Sequence, residues 1–107
     1  MTTTADIFAE IQQHLQDNPA KVQGLNATLQ FDLSGEDGGA WSITVADGTA
    51  TVAQGRLEKP QLIVLMSATD FAALVAGTLD PMGALIGGKM KLRGDVGLAM
   101  RLQPLLQ

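Results

Sequence analysis

The sequence has no cysteine and a single histidine, His14. The first absence excludes disulfides, thiolate metal sites and thiol catalysis. The second excludes any metal site built from several histidines. Apolar runs such as Leu62 to Met66 fall far short of the roughly 20 residues a membrane-spanning helix needs. Residues 1–15 carry Asp6 and Glu10 and lack a basic stretch followed by an apolar one, so no signal peptide is expected. The chain closes on Leu105-Leu106-Gln107, without a peroxisomal address of the Ser-Lys-Leu kind. A cytoplasmic location is the expectation. Basic residues are also scarce, and the net charge of −4 argues against nucleic acid as a partner.

What is present reads as one globular domain over residues 1–107, with 46% hydrophobic and 17% charged residues. Charge is unevenly placed. Residues 1–54 hold seven acids against one base, Lys21, whereas residues 87–107 hold Lys89, Lys91, Arg93 and Arg101 against Asp95. A basic end of this kind can meet a carboxylate, a phosphate or an anionic membrane.

Ile7, Phe8, Ile11 and Leu15 fall on one face of a first helix. Thr3 and Asp6 resemble a capping box at its start, and Asn18-Pro19 stops it. The period then changes to two. Ala27, Leu29, Phe31 and Leu33 alternate with polar residues, and Trp41, Ile43 and Val45 do the same after the turn Glu36-Asp37-Gly38-Gly39. Asp47-Gly48 signals a tight hairpin into a third strand, Thr49 to Ala53. Leu62 to Met66 does not alternate, so a strand covered on both faces near the middle of the sheet is expected.

Ser67 and Asp70 cap a helix with Phe71, Leu74 and Val75 on its apolar face, ending at Gly77. Asp80-Pro81 opens another, whose apolar face is expected to be Met82, Leu85 and Ile86. In the strand Lys89 to Arg93, Met90 and Leu92 face one way and Lys89, Lys91 and Arg93 the other. Asp95 is expected to cap a last helix carrying Val96, Ala99, Met100 and Leu102.

No catalytic constellation can be assembled from these residues. His14 lies among glutamines without a nucleophile or an orienting acid beside it. Asp70, Asp80 and Asp95 are explained by capping. Gly87-Gly88-Lys89 lacks the spaced glycine and the hydroxyl residue of a phosphate loop. The expectation is a chain that is not an enzyme and uses no cofactor. Met66, Met82, Met90 and Met100 cluster in the C-terminal half. There methionine serves either as ordinary core or as a surface adapting to apolar ligands.

The run Asp70-Phe71-Ala72-Ala73-Leu74-Val75-Ala76-Gly77-Thr78-Leu79-Asp80-Pro81, followed by Gly87-Gly88-Lys89-Met90-Lys91-Leu92-Arg93-Gly94-Asp95, resembles the sterol carrier protein 2 domain. So do Asn26 to Leu33, Trp41 to Val45 and Asp47-Gly48 to Gly55. The resemblance implies an α+β fold: a five-stranded mixed, mostly antiparallel sheet with helices packed against it, enclosing an apolar tunnel. It implies that the chain binds and carries or presents a lipid, whether fatty acid, acyl-CoA, sterol or phospholipid. The tunnel is expected to be lined by Trp41, Ile43, Phe71, Leu74, Met82, Leu85, Ile86, Met90, Met100, Leu105 and Leu106. Transient contact with an anionic membrane is expected through Lys89, Lys91 and Arg93. The alternative is a lipid-free accessory or dimerisation domain that docks onto a lipid-metabolising enzyme.

Overall fold

A computed structural model of the chain describes residues 3–101. Helix α1 (Thr4–Asp17) and a 3-10 turn (Pro19–Val22) precede a meander of β1 (Ala27–Ser34), β2 (Gly39–Ala46) and β3 (Thr49–Gln54). Then come β4 (Leu62–Ser67), α2 (Ala68–Ala76), α3 (Pro81–Ile86) and β5 (Met90–Gly94). The sheet order is β3-β2-β1-β4-β5. Only β1 and β4 run parallel; the other three pairings are antiparallel. The mixed, mostly antiparallel five-stranded sheet implied by the sequence is therefore present.

Local chemistry fixes most boundaries. The Thr3 hydroxyl accepts from the Asp6 amide and the Asp6 carboxylate accepts from the Thr3 amide, both at 3.1 Å. Asp thus completes a capping box in the place usually held by Glu or Gln. The Thr3 amide bond, then the Thr3 hydroxyl, hold the Asp6 carboxyl below its ordinary pKa. This cap is therefore intact at neutral pH and weakens as pH falls through that lowered pKa. In the β2–β3 turn Asp47 and Gly48 take φ of 54° and 76°, as a primed two-residue hairpin requires.

Register aligns one apolar face across the sheet. Leu29, Phe31 and Leu33 stand level with Ile43 and Trp41 on one side and with Leu62, Val64 and Met66 on the other. Met90 and Leu92 extend the same face through Met66 and Val64. α1 and α2 cover it. Phe8 stacks on Trp41 (centroids 4.7 Å apart) and on Phe71 (5.0 Å) and meets the edge of Phe31 (5.5 Å).

Three expectations change. β4 is paired on both sides but buried mainly on one: Leu62, Val64 and Met66 are buried, Ile63 and Leu65 half-buried. The β3–β4 connection crosses the second face, with Leu57 N–H bonded to Gln30 Oε1 and Gln61 N–H to the Thr28 carbonyl, and its cover is partial. In α3 the buried residue is Ala84, not Met82, Leu85 or Ile86. In the helical stretch 98–101 it is Leu98, while Val96 and Met100 are exposed.

The free edge of β3 is closed by one side chain. Gln12 of α1 donates from Nε2 to the Ala50 carbonyl (2.7 Å) and accepts at Oε1 from the Val52 amide (2.6 Å), standing in for a neighbouring strand. Gln12→Ala should cost about 1–2 kcal/mol, read as a lower urea midpoint at unchanged slope. Gln12→Glu should not rescue it, because a carboxylate oxygen then faces the Ala50 carbonyl. Wild-type stability in the alanine variant would mean that water serves the edge equally well.

Candidate functional site: an apolar cleft beside β5

α3 is only six residues long, too short to persist without help from its caps and its packing. The Asp80 carboxylate accepts from the Gly83 amide at 2.8 Å, and Pro81 supplies a first residue already in helical φ. Ala84 presses inward, so the longer side chains of α3 turn outward. After β5 the chain bends at Gly94, which has φ of 96°. A Cβ there would run into the Gln61 carbonyl oxygen, the same atom that accepts the Asp95 amide at 2.7 Å. Asp95 Oδ1 then accepts from the Gly97 amide, and Leu98 anchors the final helical stretch in the core.

Between α3, β5 and residues 96–100 lies a cleft of about 490 Å³. Met90 and Leu92 form its floor, and Pro81, Met82 and Leu85 one wall. Val96, Ala99 and Met100 form the other. Met82 is 60% exposed, Val96 58% and Met100 79%. Asp80 is the charged residue of the lining, and its carboxylate is already engaged in capping. No lysine or arginine lines the cleft among the described residues. Among the described residues, the arrangement offers dispersion and burial to an apolar guest. Among the described residues no cluster of His, Asp or Glu could hold a metal ion.

Of the residues expected to line a tunnel, Met82, Leu85, Met90 and Met100 come together here. Ile86 is on the same helix but outside the cleft, 81% exposed. Ile43, Phe71 and Leu74 are buried in the core, and Trp41 is partly buried against Phe8. None of these four lines the cleft, because α1 and α2 pack over the β1, β2 and β4 part of the face and seal them. Leu105 and Leu106 lie outside the described residues. Leu92, Val96 and Ala99 were missed as lining, although Leu92 shares the alternation of Met90 and could have been found from it. An enclosed tunnel is not formed by the described residues; they form a cleft whose walls face solvent.

Comparison with known proteins places this geometry. The chain is 31% identical over 102 residues to mouse hydroxysteroid dehydrogenase-like protein 2, covering 94% of this chain and 20% of that protein. It therefore spans about a fifth of the length of that relative. It superposes on the sterol carrier protein domain 2 of Helicoverpa armigera with a TM-score of 0.81 and 25% identity, over 98% of this chain and 87% of that one. A sterol carrier protein 2 from Aedes aegypti, solved in complex with palmitate, shares the fold with a TM-score of 0.74 and 19% identity, over 99% and 96% of the two chains. The SCP-2 sterol transfer family matches residues 8–107, which contain the whole sheet, α2, α3 and the cleft; the chain belongs to that family.

Proposed function

We propose that the chain binds one lipid through its acyl chain in the cleft beside β5, and carries or presents it. One observation carries this reading: Met82, Val96 and Met100 stand more than half exposed around a floor of Met90 and Leu92. Contiguous apolar surface left in water marks a binding site. The cleft volume of about 490 Å³ falls within the about 300–1,000 Å³ usual for small-molecule sites.

Palmitate is the natural first probe, since a protein of this fold has been solved with it. Burying the fifteen carbons of its tail gains about 0.8 kcal/mol each, or roughly 12 kcal/mol gross. Association and ordering consume several kcal/mol of that, leaving affinity near micromolar, which permits release. With Asp80 and no cation in the lining, a carboxylate head would stay at the solvent mouth. Met100→Glu should weaken palmitate binding about tenfold or more, because a charge must be desolvated when the chain covers it. Ile86→Glu should leave equilibrium affinity unchanged. Equal losses in both variants, measured by fluorescence or calorimetry, would show that the cleft is not the site.

Anionic membranes are proposed as the place of exchange. On β5, Lys91 and Arg93 are exposed on the face opposite Met90 and Leu92, with Lys89 exposed just before the strand. Each contributes about 1 kcal/mol of attraction near an anionic surface, removed by salt. Lys91→Gln with Arg93→Gln should slow palmitate transfer between anionic vesicles at low salt while equilibrium affinity stays the same. A fall in affinity that is indifferent to vesicle charge would refute this division of labour.

A second reading has its own support: the relative reported above is about five times longer than the segment this chain matches. On that reading the exposed cleft docks onto an enzyme. Native mass spectrometry of the purified chain separates the two, since co-purified lipid favours the carrier and a lipid-free assembly favours docking.

A further inference from the structure

A second hollow, of about 540 Å³, lies at the ends of β1 and β4, where Leu33 and Met66 line it together with Asp32, Leu65 and Lys91 of the opposite face. Its floor is a single row across three strands: Asp32 pairs with Leu65, and Leu65 with Lys91. Adjacent strands stand about 4.8 Å apart, so Asp32 and Lys91 face each other across roughly 10 Å. Half-buried Leu65 lies between them. Arg56, from the crossing connection, stands over the Asp32 side, and Lys89 with Gly88 closes the Lys91 side.

The three cations are under-used. Arg56 reaches Asp32 Oδ2 at only 3.5 Å and its side chain is 71% exposed, a contact too loose to hold it. Neither Lys89 nor Lys91 forms an ion pair with a carboxylate among the described residues. Asp32 and Asp70 also line the hollow, so three cations meet two carboxylates, a balance of +1 in a chain of net charge −4. Asp32 has another partner, accepting from Gln30 Nε2 at 3.0 Å, so it stays hydrogen-bonded when Arg56 swings away.

We infer that this hollow binds a phosphate monoester, held between Arg56 on one wall and Lys89 and Lys91 on the other. A phosphate monoester brings close to two negative charges and three strong acceptor oxygens. A guanidinium grips such oxygens in pairs while lysines serve as point charges. A carboxylate, with one charge, would gain little by displacing Asp32 from Arg56. The site is separate from the proposed lipid cleft: the two share no lining residue, and Lys91 points away from the face of Met90 and Leu92. The phosphate comes either from a small soluble ester or from a lipid headgroup such as phosphatidic acid.

The full chain, labelled with nitrogen-15, should be titrated with glycerol 3-phosphate and, separately, with phosphatidylcholine vesicles containing phosphatidic acid. Saturable amide shifts are expected at Ser34, Arg56, Leu65, Gly88 and Lys89, and they should persist when palmitate is in excess. Saturation by glycerol 3-phosphate supports the site with a soluble ligand; saturation by phosphatidic acid vesicles but not by phosphatidylglycerol vesicles of equal charge supports it with a headgroup, and equal saturation by both, without glycerol 3-phosphate, overturns it. Arg56→Gln and Lys89→Gln should each weaken binding about tenfold. Lys59→Gln, on the same connection but outside the hollow, should stay within about twofold of wild type. Absence of saturation by either probe, or a loss in Lys59→Gln equal to that in Arg56→Gln, overturns the site and leaves the lipid cleft untouched.

Discussion

The placing of Phe8 decides the rest of the structure. Its ring touches Trp41 of β2, Phe31 of β1 and Phe71 of α2, so one side chain joins both long helices to the sheet. Aromatic pairs at such separations add about 0.5–1.5 kcal/mol each beyond the burial itself. With Phe8 there, α1 lies over the meander and Gln12 reaches the β3 edge. Thr4 reaches the other way, its amide donating to the Asp37 carboxylate and its hydroxyl to the Asp37 carbonyl, both at 2.6 Å. α1 is thereby spent on one half of a face that is apolar across all five strands. Among the described residues, the β5 half is left to a six-residue helix and a single anchored turn. The cleft is the consequence of that uneven cover.

Among the described residues, the cover over β5 is held by little packing. α3 buries one alanine, and the described residues after Gly94, up to Arg101, bury one leucine. Segments with few buried apolar contacts open at lower free energy than the core. On the proposed reading, such opening lies where a lipid would enter and leave, away from the aromatic cluster. Apolar side chains at the cleft are stabilised by a guest, so mobility and affinity draw on the same exposed residues.

Much of this was legible in the sequence, and the exceptions have a common cause. Caps, turns and strand alternation are local: Thr3 with Asp6, Asp47-Gly48, Ser67 with Asp70 and Asp80-Pro81 each act within a few residues, and each formed as read. The five-stranded mixed sheet was carried by resemblance, not by any local signal, and the strand order was not read at all. The site was legible in part. Met82, Leu85, Met90 and Met100 were found because they are apolar at positions flanking short elements. Ile43 and Phe71 look the same in sequence, and only the position of α1 shows that they are sealed. The face of α3 was misread because Met82, Ala84, Leu85 and Ile86 are all apolar. Helical spacing cannot choose among them, and close approach to β5 selects the smallest. Gln12 gave no signal, since its partners are backbone atoms of a strand 38 and 40 residues away.

β5 has to serve two environments with five residues. Met90 and Leu92 floor the apolar cleft, and Lys91, on the reverse face, lines the second hollow. A slip of one residue against β4 would exchange every side chain between the faces, setting lysine in the cleft and methionine among cations. As an edge strand β5 has only β4 to hold its register, yet the pairing of Met66 with Met90 has to be kept. The constraint comes from the strand's far end. There the Gln61 carbonyl approaches Gly94 so closely that no other residue fits, and the same oxygen accepts the Asp95 amide. A slipped register would bring Arg93 or Asp95 against that carbonyl, and either would clash. The glycine that turns the chain into the cleft's second wall thereby also keeps the two faces of β5 apart.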